Sequence, residues 1–385
     1  MLLKALLKHF AAPHRLGGSD RVAEELERAN ESALRWALDA GLGPLLQNTL
    51  QHDAGRIPPD FRERLLGGDL TAQVEHGERL DAAMHVIQIC VDAEVPITLL
   101  KGISISEQQY DPGHLRPMTD IDILIPEEAY GYVEALLLRR GYHHGRGSVG
   151  EGSHHGLPMV HPDRRVWLEL HTALFNKNSP LHRNGAFGAA YITQQSVEAS
   201  FCGLPVRRLS NELQLAYIAA YWVQDLSAHR IHPSFVVPLF DAARLMAVNQ
   251  DSIDWTRVMQ AVPNDAAKAS LYLLLSYLAS RDIVKVPPSV MTRLGNDQAY
   301  VGSLDGRVIN ALVDRYLVGS RPLRLFNSWH VWSNLLEPGW PLLKIARLPW
   351  RILFPPTYPD RYDMRSQAAR VGRLLRRMRG DRDRE

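Results

Sequence analysis

The sequence predicts an α/β protein (α+β in arrangement): a small mixed sheet flanked by helical regions on its N- and C-terminal sides. Three observations lead there. Residues 20–93 carry apolar side chains at helical spacing, and the helical pattern returns from Ser210 onward. Between them short β-type runs alternate with helices, the skeleton of a small α/β domain. The 385 residues, 45% apolar and 22% charged, suffice for two or three domains with a sizeable core.

Taken in order, "MLLKALLKHF" reads as a short amphipathic helix. Lys4 and Lys8 interrupt it, and it lacks the features of a signal peptide. Gly41 and Gly43 break the helical pattern that follows. Leu80, Met84, Ile87 and Val91 then form one inward stripe of a helix. "VPITLL" (95–100) is β-type, 103–110 helical, and "DPGHLRP" (111–117) a loop. "DIDILI" (120–125) is a strand, 127–140 a helix stopped at Gly141, and "RRVWLELHTAL" (164–174) begins as another strand. Ser210 is the expected N-cap of the next helix. The division is 1–77 helical, 78–209 α/β core, and 210–385 helical with a basic tail.

Two cysteines, Cys90 and Cys202, build neither a disulfide framework nor a zinc spacing, so a reducing cytoplasm is expected. The most apolar internal stretch, 270–280, is too short to span a bilayer, so no integral membrane segment is expected. A net charge of +2 argues against a protein that mainly coats nucleic acid.

The chemistry concentrates in three short motifs. Side chains alternate along a strand, so Ile121, Ile123 and Ile125 share one face and Asp120 and Asp122 the other. Two carboxylates converging on one point repel unless a cation lies between them, and hard oxygen ligands suit Mg²⁺ or Mn²⁺. In "VWLELH", Glu169 and His171 share a face with Trp167. Pairing of the two strands would make Glu169 a third carboxylate. Upstream, Lys101-Gly102 ends a strand and opens a helix, where backbone N–H groups and the lysine favour a phosphate.

Together Leu100-Lys101-Gly102, Arg116-Pro117-Met118-Thr119-Asp120-Ile121-Asp122 and Glu169-Leu170-His171 resemble the nucleotidyltransferase superfamily of DNA polymerase beta. In particular they resemble its poorly characterised bacterial nucleotidyltransferase family proteins. "GLGPLLQNTL" and "FDAARLM" extend the resemblance over roughly residues 30–250. The chain departs from the wider superfamily in having Ile103 after Gly102, where Gly-Ser or Gly-Gly is usual, and in a longer loop to Asp120.

The resemblance implies a polymerase-beta-like core over 78–209. It implies metal-dependent transfer of a nucleoside monophosphate from an NTP, ATP by default, to a hydroxyl, with release of pyrophosphate. Asp120, Asp122 and Glu169 would be the catalytic, metal-holding acids, with Glu169 helping to remove the hydroxyl proton. Lys101, Gly102, Ser104, Arg116 and His171 would bind the nucleotide. For Arg116 the other reading, a brace for the aspartate loop, is weighed slightly higher. His171 is divided between orienting a carboxylate and a purely structural place. The acceptor, a small molecule, a peptide or an RNA, is left open. A catalytically weak binding or scaffold protein is the alternative, and a tRNA-modifying toxin a second one.

The histidines of 143–161 fit no zinc spacing, and that segment reads as a flexible hairpin beside the site with His155 near the nucleotide. Residues 366–379 form a basic helix that either docks on its own protein, the commoner use, or weakly contacts an anionic surface. Trp329, Trp332, Trp340 and Trp350 are expected to pack the C-terminal region.

Overall fold

A computed structural model of the chain describes residues 2–12, 18–145, 153–177, 179–227 and 232–317, with Leu343 and Ala346. The basic helix of 366–379, the four C-terminal tryptophans and the centre of the histidine-rich segment lie outside these residues.

The N-terminal helices are α1 (Leu2–Ala11), α2 (Gly18–Glu27), α3 (Glu31–Asp39), α4 (Gly43–Leu50) and α5 (Pro59–Asp92). α1 buries Leu2, Leu3, Leu6 and Leu7 despite its two lysines. α3 starts where the Asn30 side chain accepts from the Ala33 N–H. α5 runs unbroken through residues 77 and 78. Its second half presents the predicted stripe: Ile87 is buried, and Leu80, Met84 and Val91 pack half-buried beside it.

The α/β region follows as β1 (Thr98–Leu99), α6 (Lys101–Gln109), β2 (Asp120–Leu124), α7 (Tyr130–Arg139), β3 (His143–His144), β4 (Met159–Val160) and β5 (Trp167–His171). Then come α8 (Ala189–Gln195), β6 (Ser196–Phe201) and β7 (Leu204–Leu209). Gly141 ends α7 at φ +88°, a left-handed position that glycine adopts without steric cost. The strands form one seven-stranded mixed sheet in the order β3-β4-β5-β2-β1-β7-β6. β2 pairs parallel to β5 and β1 parallel to β7; β1 lies antiparallel to β2. The hairpin expected of the histidine-rich segment is present as β3–β4. The β6–β7 hairpin was not foreseen from the sequence.

The remaining helices are α9 (Asn211–Ser227), α10 (Val237–Val248), α11 (Trp255–Gln260), α12 (Asp265–Ser280), α13 (Pro288–Asn296) and α14 (Ser303–Leu317). Ser210 caps α9, its hydroxyl accepting from the Leu213 N–H at 3.3 Å. The apolar run of 270–280 lies within α12 and is largely buried. Among the described residues no helix is long and apolar enough to cross a membrane.

Two apolar cores sit on the two faces of the sheet. Ile121, Ile123, Ile125, Leu168 and Leu170 meet α5 and α7 in one of them. Leu124, on the opposite face of β2, belongs to the second, which unites α1–α4 with α9, α10, α12 and α14. Asp120 and Asp122 share the face of Leu124, so the acids point toward the C-terminal helices.

Candidate active site

Register places the acids. In the parallel β2–β5 pair Asp122 stands opposite Glu169, Asp120 opposite Trp167 and Leu124 opposite His171. Paired residues of neighbouring strands project from the same face. Asp122, Glu169 and His171 thereby offer ligand atoms that all lie within 4.8 Å of one another. Asp120 is outside this tight group. One strand step of two residues separates it from Asp122, and its Oδ1 accepts from the Thr119 hydroxyl at 3.0 Å. The structure thus brings His171, rather than Asp120, into closest company with Asp122 and Glu169.

Asp122 is 2% exposed, and a single oxygen, Oδ1, takes two donors: Lys101 Nζ at 2.7 Å and His171 Nε2 at 2.7 Å. His171 Nε2 also lies 3.4 Å from Glu169 Oε2. Burial alone would raise the Asp122 carboxyl, but Lys101 and His171 outweigh it and hold it well below the usual carboxylate range. Asp120 moves the opposite way. Burial and then the Asp122 charge push it up to about 6, with Lys101 opposing and Glu169 adding to the rise. The hydrogen bond from His171 holds the Glu169 carboxyl below its ordinary value against its partial burial. His171 is fully buried, which disfavours its cation, yet hydrogen bonds to Asp122 and Glu169 raise it overall. Its Nδ1 has no partner.

The two carboxylates are hard oxygen donors of the kind Mg²⁺ or Mn²⁺ takes, while the His171 imidazole is engaged with both of them through Nε2. The arrangement shows the need for positive charge directly: a lysine and a buried histidine now supply it at Asp122. Lys101 reaches that position from a backbone φ of +41°, left-handed and strained for a lysine. Burial works against its ammonium, and Asp122, Tyr217 and Asp120 raise it well above the usual lysine range.

α6 begins at Lys101 with Leu100 before it, and no side chain caps its first turn. A Cβ on Gly102 would meet Arg116 Nη1 and Met118 Cγ, each at 2.7 Å, so this turn requires glycine. Ile103, the departure from the usual motif, is buried in the sheet core. Ser104 is 1% exposed, and its hydroxyl has no partner. The Arg116 guanidinium is engaged elsewhere: Nε and Nη2 donate to Asp241 at 3.0 and 2.8 Å. It occupies the bracing position, beside Gly102 but tied to α10.

His155 is brought to the site, its ring 5.4 Å from that of His171. His154 lies 5.3 Å from His171, and burial pushes it down to about 2, so it stays neutral. Sequence reasoning placed a helix after Ser210 but gave none of its residues a part in the site. Tyr217 is fully buried with its hydroxyl unpartnered, and the charges of Lys101, Asp122, Glu169 and Asp225 all act on that hydroxyl. The only sequence signal was an aromatic and an acid eight residues apart on one helix.

Comparison with known proteins complements this geometry. No curated protein matches the chain. A solved structure, the solution structure of the antibiotic-resistance factor ANT(2'')-Ia, shares 15% identity at a TM-score of 0.32, covering 54% of this chain and 94% of that one. The model of the uncharacterised nucleotidyltransferase family matches residues 27–281, two thirds of the sequence, and the chain belongs to that family.

Proposed function

We propose that the protein is a metal-dependent nucleotidyltransferase that moves a nucleoside monophosphate from an NTP to an acceptor hydroxyl. One observation carries this reading: the β2–β5 register gathers Asp122, Glu169 and His171 within 4.8 Å on the face turned toward the C-terminal helices. Asp122 and Glu169 would hold the divalent cation, with His171 as a nitrogen ligand or as orienter of both acids, and Asp120 at the edge. When bound, the cation would stabilise charge on the phosphoryl oxygens and orient the reactants.

The chain's own residues do the rest. Glu169 is anionic at neutral pH and so is in the form that accepts the proton of the attacking hydroxyl, help worth about 10²–10⁴ in rate. The hydroxyl oxygen bonds to the α-phosphorus, the bond from that phosphorus to the bridging oxygen breaks, and pyrophosphate departs. The uncapped first turn of α6, from Lys101 and Gly102, offers N–H groups to the departing phosphates. ATP is the default donor; the acceptor is a small molecule, a peptide or an RNA. The test is incubation with Mg²⁺ and each labelled NTP. Mg²⁺-dependent NTP binding lost in Asp122→Asn is expected. NTP binding that is absent, or unchanged in that variant, defeats the reading.

One observation favours a second reading, a nucleotide-binding protein without turnover. Lys101 is tied to Asp122, Arg116 to Asp241, and Ser104 is buried, which leaves backbone as the main phosphate grip. Tight Mg²⁺-dependent NTP binding with no pyrophosphate release under any acceptor would support it.

A further inference from the structure

On the α5–α7 side of the sheet, three rings from three segments meet. His85 comes from α5, Tyr142 follows α7, and His161 follows β4. The ring centroids lie 5.7 Å apart for His85 and Tyr142, 5.3 Å for His85 and His161, and 5.1 Å for Tyr142 and His161. His85 Nδ1 is 3.1 Å from the Tyr142 hydroxyl and 3.3 Å from His161 Nε2.

The partners fix the protons. A backbone N–H only donates, so His161 Nδ1, which takes the Asp163 N–H at 3.2 Å, is an acceptor. A neutral His161 therefore carries its proton on Nε2 and donates it to His85 Nδ1. The Tyr142 hydroxyl is a second donor to the same lone pair. This arrangement holds only while both imidazoles are neutral. A proton added at His85 Nδ1 turns that atom into a donor. It can still bond the Tyr142 oxygen, but it then meets the Nε2–H of His161, donor against donor. A proton added at His161 Nδ1 opposes the Asp163 N–H instead. Either event releases His161.

The surroundings oppose charge at His161. Burial, His85 and Arg164 hold its imidazole below the ordinary histidine value, with Asp163 acting the other way. Arg164 is itself paired with Asp81 of α5 at 2.9 Å. Tyr142 and Cys90 add no charge, because burial raises both, the thiol to about 12. Tyr142 and His161 are buried and His85 is half-buried, so solvent protons enter through His85. The hairpin has few backbone bonds of its own: β3 pairs with β4 over two residues, β4 with β5 over two, and β3 is the edge strand. Residues 153–158, which lead into β4, run beside the candidate active site. There the Thr172 N–H donates to the His154 carbonyl at 2.7 Å, and the His155 ring lies 5.4 Å from that of His171.

We propose that His85 and His161 form a proton-operated latch that ties the β3–β4 hairpin to α5 while both are neutral. Protonation releases the hairpin and loosens residues 153–158 beside the acids. The latch does not rest on the nucleotidyl-transfer reading. His161 sets its direction: the folded value lies below the ordinary 6.5, so the unfolded chain binds the proton more tightly. The contribution of the latch is full above the ordinary value and is lost as pH falls below it.

The test is amide hydrogen exchange of the full-length protein at about pH 7.5 and about pH 5.5, corrected for the intrinsic pH dependence of exchange. Residues 156–161 are expected to lose about tenfold or more in protection at the lower pH. The β6–β7 hairpin, which contains no histidine, should change less than about twofold. His85→Gln offers an amide oxygen to the same Nε2–H without titrating, so its loss should move to lower pH. His85→Gln/His161→Gln should show no loss. Equal loss in the two hairpins of the wild type, no loss in β3–β4, or a loss that persists unchanged in the double variant overturns the latch. The wild-type comparison decides the matter even where a variant fails to fold.

Discussion

Two of the buried aspartates among the described residues, Asp122 and Asp241, have opposite characters. Asp241, on α10, is fully buried and accepts from four donors: Arg116 Nε and Nη2, the Tyr110 hydroxyl at 2.8 Å and the Tyr221 hydroxyl at 3.1 Å. Both of its oxygens are used, and its charge is matched by one guanidinium. Asp122 takes both of its hydrogen bonds on one oxygen, and it has Asp120 and Glu169 as like-charged neighbours. A buried charge that is fully paired and bonded anchors structure; one left with spare acceptor capacity and surplus negative charge is equipped to receive a cation. The two meet through α9, where Tyr221 serves the first cluster and Tyr217, one turn earlier, faces the second.

The largest expected effect would break the closed cluster. Asp241→Ala strands the buried Arg116 guanidinium and should lower the unfolding free energy in denaturant by about 3–5 kcal/mol. A stability within error of wild type would remove Asp241 as an anchor. In the open cluster the balance reverses. Asp122→Asn should cost more than about a hundredfold in nucleotidyl transfer. Its loss of stability should be less than half that of Asp241→Ala, because Lys101 can reach water and His171 can release its proton.

The two aspartates of β2 also separate by pH. The Asp120 carboxyl is raised to about 6 from an ordinary 3.8, so the folded state binds its proton more tightly than the unfolded chain. Its stabilising contribution is present below the ordinary value and is lost as pH rises through about 6. A divalent cation offsets the charge that then appears. The Mg²⁺-induced rise in thermal midpoint should therefore be small below pH ~6 and grow above it. A shift that is flat across this range would exclude Asp120 from the cation's surroundings.

Smaller effects sharpen the contrast. Tyr221→Phe removes one of four donors to Asp241 and should cost about 1 kcal/mol, with Mg²⁺ binding by calorimetry unchanged. Ser104→Ala removes a buried hydroxyl without a partner and should be neutral or slightly stabilising, within about 1 kcal/mol. A fall in NTP affinity in that variant would restore Ser104 as a phosphate ligand.

The acid face of the site was legible because strand alternation is a local rule. Once 120–125 and 167–171 are strands, the faces of Asp122, Glu169 and His171 follow. The β6–β7 hairpin was missed because Ser196–Phe201 and Leu204–Leu209 mix charged and apolar residues without a clean alternation. Its signal was the turn, where Cys202 and Gly203 both adopt positive φ. The partner of Arg116 was not legible either, since Asp241 lies 125 residues away on a helix whose neighbours are apolar.

By itself, then, the sequence determined the kinds of element, the faces on which the acids lie and the lysine-glycine entry to α6. These depend on backbone periodicity and on what glycine alone permits over a few residues. Tertiary structure decided which charges meet: Lys101 with Asp122, Arg116 with Asp241, and His171 instead of Asp120 beside Glu169. Such pairings depend on strand register and helix docking between distant segments, and the free energy of a buried charge is set by whatever that docking brings within a few ångströms.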